Sequence, residues 1–165
     1  MGMRMPEYYG RARYKGGQTA MKTFEDIAQD VTGTIYEDYF DEGIRVLIMR
    51  GPCSLCAYLG VPVGHPLAGH SYEDLSVEAH GGLTFASEGG RDTWPEGWYW
   101  YGIDYAHAGD YNFYFDEHPS IFTTPTQDKK WTVEEVKADL WGTIYDFKKL
   151  VRLSETIAKQ QIGKV

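Results

Sequence analysis

The sequence predicts an α+β fold, a single domain in which an antiparallel sheet is covered by flanking helices. Short apolar runs are separated by turns that contain glycine and proline, which is typical of antiparallel strands. A long segment near the C-terminus repeats apolar residues at helical spacing. The length of 165 residues suits one hydrophobic core, and helices packed on a sheet are a stable way to build it.

Residues 1–22 are predicted to form a flexible basic arm and residues 23–162 the single folded domain. The arm lacks apolar periodicity. It contains one acid, Glu7, and the basic residues Arg4, Arg11, Arg13, Lys15 and Lys22. The domain is expected to begin with an amphipathic helix over residues 23–40, in which Thr23 is the N-cap and Gly43 the stop. The apolar positions of this helix are Phe24, Ile27, Val31 and Ile35.

The middle of the chain contains the predicted strands. Residues 44–49 and 55–61 are expected to pair as antiparallel strands, because Gly51-Pro52 between them is typical of a turn. Residues 63–72 are expected to be a loop. Two more strands are predicted at residues 75–79 and 83–86, joined by a tight turn at the glycine pair 81–82.

A further strand is predicted at residues 98–101. Its alternation places Trp98 and Trp100 on one face of the sheet, and Tyr99 and Tyr101 on the other. This strand would deliver the polar segment that follows it to the edge of the sheet.

The long C-terminal amphipathic helix has the clearest signals. Thr132 and Glu135 have the spacing of a capping box, and Trp131 precedes the helix at the position of a hydrophobic staple with Val136. One apolar stripe follows, at Val136, Leu140, Ile144, Phe147 and Val151. This stripe is expected to pack on the sheet.

Composition limits the partners. A net charge of −8 and a pI of about 5.0 argue against extended nucleic acid, because such binding needs many Lys and Arg contacts to phosphates. No apolar run approaches the roughly 20 residues that span a bilayer, and the N-terminus lacks a signal-peptide core. We therefore expect no membrane partner and a cytoplasmic location.

Cys53 and Cys56 form a C-x-x-C pair, which suits redox chemistry or half of a zinc site. A structural interpretation is favoured, because no second C-x-x-C follows and Cys56 falls in a predicted buried strand.

The candidate site lies in the central part of the chain, where Arg91 is the one basic residue between Gly51 and Asp128, against eleven acids and all five histidines. The predicted catalytic residues, in two segments rich in small residues, are His80, Asp104, His107 and Asp110. Carboxylate and imidazole groups together can act as an oriented general base or bind a divalent metal ion. The predicted ligands of such an ion are Asp104, His107 and Asp110.

Each of these residues also has a structural alternative. His80 could cap the glycine turn, Asp104 could accept backbone N–H groups at the end of its strand, and Asp110 could be the N-cap of a short turn. The occurrence of four such residues in two short segments favours a shared site.

A small-molecule ligand, possibly nucleotide-like, would be held around this group. The predicted ligand-binding residues are Thr84, Arg91, Tyr99, Tyr101, Tyr105 and His65. The tyrosines can stack on a ring, and Arg91 can pair with a phosphate or carboxylate. The aromatic residues also suit a core, His65 is more simply structural or exposed, and His118 is predicted to be a loop residue.

Together these segments resemble a group of small phage and prophage proteins of uncharacterised function. The resemblance covers roughly residues 45–112 and a C-terminal helix of similar placement. Its most specific motifs are His-Gly-Gly-Leu-Thr-Phe at 80–85 and Asp-x-Ala-His-Ala-Gly-Asp at 104–110. Ile103 and Tyr105 depart from the pattern, which has Phe and often Cys there. The resemblance implies a phage accessory protein that acts in host takeover or against a host defence signal.

Three functions are compatible with these features. The leading hypothesis is a phage-type enzyme that uses its His/Asp site for metal-assisted or acid–base hydrolysis of a small phosphoester or nucleotide signal. The first alternative is a non-catalytic counter-defence protein that sequesters a nucleotide-like ligand between aromatic walls. The second is an acidic interaction protein that blocks a host enzyme.

Overall fold

The structure is a computed structural model that describes residues 21–90, 94–117 and 128–163. Most of the predicted basic arm, together with Arg91 and His118, lies outside the described residues. The helices are α1 (Phe24–Gln29), α2 (Phe113–Glu117) and α3 (Val133–Ile162). The strands are β1 (Ile35–Asp41), β2 (Ile44–Arg50), β3 (Leu55–Pro62), β4 (Phe85–Gly90) and β5 (Trp94–Asp104), and a 3-10 turn spans Tyr72–Asp74. The predicted single α+β domain is confirmed.

The five strands form one antiparallel sheet in the order β1-β2-β3-β5-β4. The predicted pairing of β2 with β3 is confirmed. The strand predicted at residues 98–101 is confirmed as part of the longer β5, which lies between β3 and β4. Its alternation is also confirmed, because Trp100 belongs to the apolar cluster on one face and Tyr101 to the larger core on the other.

Helix α3 covers the face of the sheet that carries the larger core. Every residue of its predicted stripe is buried, and Val136, Leu140 and Phe147 are fully inaccessible. The N-cap prediction is confirmed, since the Thr132 hydroxyl accepts a hydrogen bond from the Glu135 amide at 3.3 Å. Within the described ranges, no helix is long and apolar enough to cross a membrane.

The helix predicted over residues 23–40 is wrong in its second half. α1 starts after its predicted N-cap but has only six residues. Gly33, with a φ of 92°, lies in the turn that leads into β1. Glu42 and Gly43, with φ values of 49° and 84°, form the two-residue turn of the β1–β2 hairpin. Pairing with β2 satisfies the backbone of β1, and it outweighs a helical pattern that contains Gly33 and β-branched residues.

The strand predicted at residues 75–79 is also wrong. This segment lies against α3, where the Glu78 amide donates to a carboxylate oxygen of Asp146 at 3.3 Å, and its apolar side chains pack on the larger core. The turn that follows does form, because the Gly82 amide donates to the carbonyl oxygen of Ala79 at 2.9 Å. The next strand begins only at Phe85 and pairs with β5. Apolar alternation in this segment therefore reflects packing against a helix.

Candidate functional site

Two turns bring the four predicted catalytic residues together. β5 ends at Asp104, and the turn after it carries His107 and Asp110, with the Asp110 amide donating to the His107 carbonyl oxygen at 2.9 Å. The turn at residues 79–82 places His80 against this segment. The ring centres of His80 and His107 are 5.6 Å apart.

His80 and Asp110 form a close pair. His80 Nε2 lies 2.6 Å from Asp110 Oδ2, and the two side chains are 25% and 4% exposed. Asp110 Oδ2 also accepts the His107 amide at 3.0 Å, and its Oδ1 accepts the Trp131 indole N–H at 2.8 Å. The carboxylate is thus held from three sides, while the imidazole keeps access to solvent.

These hydrogen bonds determine the charge state of Asp110. Burial by itself raises the pKa of the carboxyl group. The hydrogen bonds from His80, Trp131 and the His107 amide outweigh burial, and the pKa is lowered from its ordinary value. Asp110 is therefore a buried carboxylate at neutral pH. It does not act as the N-cap of a short turn, because its carboxylate accepts the amide of His107, which precedes it, and Asn112 Oδ1 accepts the Phe115 amide at the start of α2.

Aromatic rings fix the plane of the His80 imidazole. Tyr105 stacks on it with 4.9 Å between ring centres and 4° between planes. Trp131 meets it edge-on at 5.0 Å. The Tyr105 hydroxyl is itself anchored, because it donates to Asp139 of α3 at 2.8 Å. The imidazole therefore has little freedom to rotate, as a preorganised acid–base group requires.

His107 and Asp104 form the second pair. His107 Nε2 lies 3.3 Å from Asp104 Oδ1, and the side chains are 30% and 34% exposed. Asp104 also accepts the Thr84 hydroxyl at 2.9 Å and the Ala106 amide at 3.2 Å, so its predicted role as acceptor at a strand end is realised too. The His107 Nε2 atom is buried and makes no hydrogen bond of good geometry to any described residue.

Gly81 sets the position of the His107 ring. Its φ is 67°, which suits glycine, and a Cβ atom added there would overlap the imidazole of His107. At the neighbouring Gly82, whose φ is 81°, an added Cβ would meet nothing within 4 Å. The His-Gly-Gly segment therefore serves the site through its first glycine, by allowing the two histidine rings to approach.

The carboxylates are arranged for hydrogen bonding more than for metal ligation. Both oxygens of Asp110 already accept hydrogen bonds, Oδ2 from His80 and the His107 amide and Oδ1 from Trp131. Across the described ranges, no three or more His, Cys, Asp or Glu side chains are grouped so that they could hold a metal ion. Hydrogen bonds from neighbouring groups thus hold both carboxylates in place.

The predicted ligand-binding tyrosines are largely committed to the core. Tyr101 and Tyr105 are 0% and 1% exposed, and the Tyr101 hydroxyl donates to the carbonyl oxygen of Leu67 at 2.6 Å. Burial raises the pKa of Tyr101 to about 12. Tyr99 is partly exposed, with its hydroxyl bonded to the His70 carbonyl oxygen at 3.0 Å. Of these rings only Tyr105 contacts a site residue, His80, and Tyr101 and Tyr105 offer a ligand little free surface.

The remaining predicted binding residues are spread out. Thr84 joins the site through Asp104. His65 lies in a different contact: its Nδ1 accepts the Leu67 amide at 3.0 Å and its Nε2 pairs with Glu155 of α3 at 2.9 Å. This is the structural role that the sequence favoured for His65. Arg91 lies outside the described residues.

Two residues at this site were not predicted from the sequence. The sequence indicates Trp131 as a helix staple alone and carries no signal for Lys129. Trp131 bonds Asp110, and the Lys129 ammonium lies 4.0 Å from the centre of the Trp131 ring. A buried indole needs a partner for its N–H, and this requirement is the one sequence-level signal that pointed to Trp131.

The C-x-x-C pair lies at the start of β3. Both thiols are free; Cys53 is exposed and Cys56 is buried. Burial raises the pKa of Cys56 to about 11. The prediction that Cys56 is a buried residue of a strand is confirmed.

As a whole, the site presents two partly exposed imidazoles, each beside its own carboxylate, with an ammonium group nearby. Such a group can accept one proton, donate another and attract an anion. Comparison of the chain with models of protein families, with curated proteins and with solved structures gave no match.

Proposed function

We propose that the protein is an acid–base hydrolase of small phosphoesters, with nucleotide signals as its substrate class. The observation that supports this most is the arrangement of two His–Asp pairs, His80–Asp110 and His107–Asp104, with 5.6 Å between the imidazole centres. Two imidazoles at this spacing can reach different oxygens of one phosphoryl group. Because each histidine lies beside a differently placed carboxylate, one can act as general base and the other as general acid.

His80 is the proposed general base. Asp110 holds its Nε2, so Nδ1 remains to take a proton from the attacking water as the water oxygen bonds to phosphorus. The buried, ionised Asp110 stabilises the imidazolium that forms.

His107 is the proposed general acid. It donates a proton to the leaving oxygen as the P–O bond to that oxygen breaks. Exchange with solvent then returns a proton to His107 and removes one from His80, because both side chains are partly exposed. The Thr84 hydroxyl and the Ala106 amide keep the Asp104 carboxylate in place, 3.3 Å from His107 Nε2.

The substrate class combines this geometry with the sequence resemblance. Acid–base histidines suit phosphoesters, and a phage accessory role suggests nucleotide signals of host defence. The resemblance adds nothing about the reaction itself.

The test is turnover of bis-p-nitrophenyl phosphate and of a panel of linear and cyclic nucleotides by the full chain, with chelator and with added Mg²⁺ or Mn²⁺. His80→Gln and His107→Gln should each lose on the order of 100-fold or more in kcat, since each removes one proton transfer. His70→Gln is the matched control, because the His70 side chain is exposed and its hydrogen bond in the described part of the chain goes to a neighbouring loop carbonyl, that of Pro66. Thermal unfolding checks that all variants fold.

The alternatives give different results. Turnover that requires a divalent ion would favour the metal-assisted version. A nucleotide retained by the protein and recovered unchanged would replace hydrolysis with sequestration. If the protein neither turns over nor binds a nucleotide, both hydrolysis and sequestration are overturned. That result would favour an acidic interaction protein.

A further inference from the structure

Lys129 is attached to the site by its backbone. Its amide donates to the carbonyl oxygen of Gly109 at 2.8 Å, and its own carbonyl accepts the Tyr111 amide at 2.8 Å. These two bonds enclose Asp110 and fix the Lys129 backbone beside it as an isolated bridge. The position of Lys129 therefore depends on the same turn that places His107 and Asp110.

The side chain of Lys129 lies on the ring that borders His80. Its Nζ is 4.0 Å from the centre of the Trp131 ring, and that ring is 5.0 Å from the His80 ring and bonds Asp110. The Lys129 ammonium group and the proposed general base, His80, thus both contact the Trp131 ring.

The charge of the site calls for such a cation. Asp104 and Asp110 bring two carboxylates to the place where a phosphoester would react, and a phosphate anion needs a positive group to offset them. Among the described residues, Lys129 forms an ion pair with Glu135 at 3.3 Å, and the two side chains are 50% and 44% exposed. Exposed pairs of this kind are weak and screened by solvent, so a phosphate can displace Glu135.

The next residue, Lys130, points elsewhere. Its Nζ pairs with Glu25 of α1 at 2.8 Å and lies 4.9 Å from the centre of the Tyr111 ring. Neighbouring residues of extended backbone project to opposite sides, so one lysine serves the site and the other α1.

We propose that Lys129 is the anion-binding residue of this site and holds a phosphoryl oxygen of the substrate beside His80. The inference rests on the proposed hydrolase function, and it adds the residue that selects anionic phosphoesters.

The experiment uses inorganic phosphate as the probe, titrated into the full chain while the imidazole signals of His80 and His107 are followed by NMR. Wild type should show saturable shifts of these signals. Lys129→Gln should weaken phosphate binding at least about tenfold, Lys129→Arg should retain it, and the matched control Lys130→Gln should bind as wild type. In assays with a phosphoester that the protein hydrolyses, Lys129→Gln should raise KM more than it lowers kcat.

The outcomes separate this inference from the proposed function. Equal phosphate binding by wild type and Lys129→Gln, or no binding by wild type, overturns the role of Lys129 even if the protein hydrolyses phosphoesters. Binding that depends on Lys129, in a protein that turns over no phosphoester, supports the anion site and removes the hydrolase.

Discussion

Substitution of Gly81 by alanine tests the close approach of the two histidine rings. The added methyl group must overlap the His107 imidazole, and the residue must keep a φ of 67°. Left-handed backbone costs a non-glycine residue roughly 1–2 kcal/mol. Overpacking adds about 1–3 kcal/mol. We therefore expect Gly81→Ala to lower the free energy of unfolding by about 2–5 kcal/mol.

Gly82→Ala is the matched control, because it shares the positive φ but its methyl group would meet nothing within 4 Å. It should cost only the backbone part, about 1–2 kcal/mol. Urea unfolding followed by tryptophan fluorescence measures both values. Displacement of His107 should also reduce kcat on the order of 100-fold in Gly81→Ala alone. Equal destabilisation and equal activity of the two variants would refute the contact between Gly81 and His107.

Three other predictions concern buried groups. Trp131→Phe removes the indole hydrogen bond to Asp110 and should cost about 1.5–3 kcal/mol in urea unfolding, as expected for a bond to a charged group; Trp141→Phe, at a side chain 78% exposed, should cost almost nothing. Because the folded pKa of Asp110 lies below its ordinary 3.8, its stabilising contribution is present above that pH and is lost as the pH falls through the folded value. The stability gap between wild type and Trp131→Phe should therefore narrow below pH 3.8 in a pH series of unfolding curves, and a constant gap would contradict an ionised Asp110. At pH 8 a thiol reagent should label exposed Cys53 quickly and buried Cys56, whose pKa is about 11, only on unfolding; mass spectrometry of the labelled chain would show the reverse if Cys56 were reactive.

Much of the fold followed from local patterns. The stripe of α3 and the alternation of β5 each repeat with the period of their element over enough residues that burial of one face determines both element and orientation. The pattern of residues 31–40 is shorter and is interrupted by Gly33. There, pairing with β2 decided between helix and strand.

The candidate site was predictable as a set of residues and not as a set of pairs. Closely spaced ionisable groups between small residues indicated His80, Asp104, His107 and Asp110, and the structure brings these four together. The sequence predicted a hairpin of residues 75–79 and 83–86 around His80 and left its carboxylate partner open. The turn at residues 79–82 instead faces the loop after β5, so His80 pairs with Asp110.

By itself, therefore, the sequence determined the α+β class, the helix that covers the sheet, and the two segments that form the candidate site, because each depends on short-range periodicity or on residue type. Only the tertiary structure decided which carboxylate serves which histidine, and only it brought Lys129 and Trp131 beside Asp110. Apart from the His107–Asp104 pair, those contacts join residues that are distant in the chain. Their energies depend on burial and hydrogen bonding in the folded state, which leave no periodic trace in the sequence.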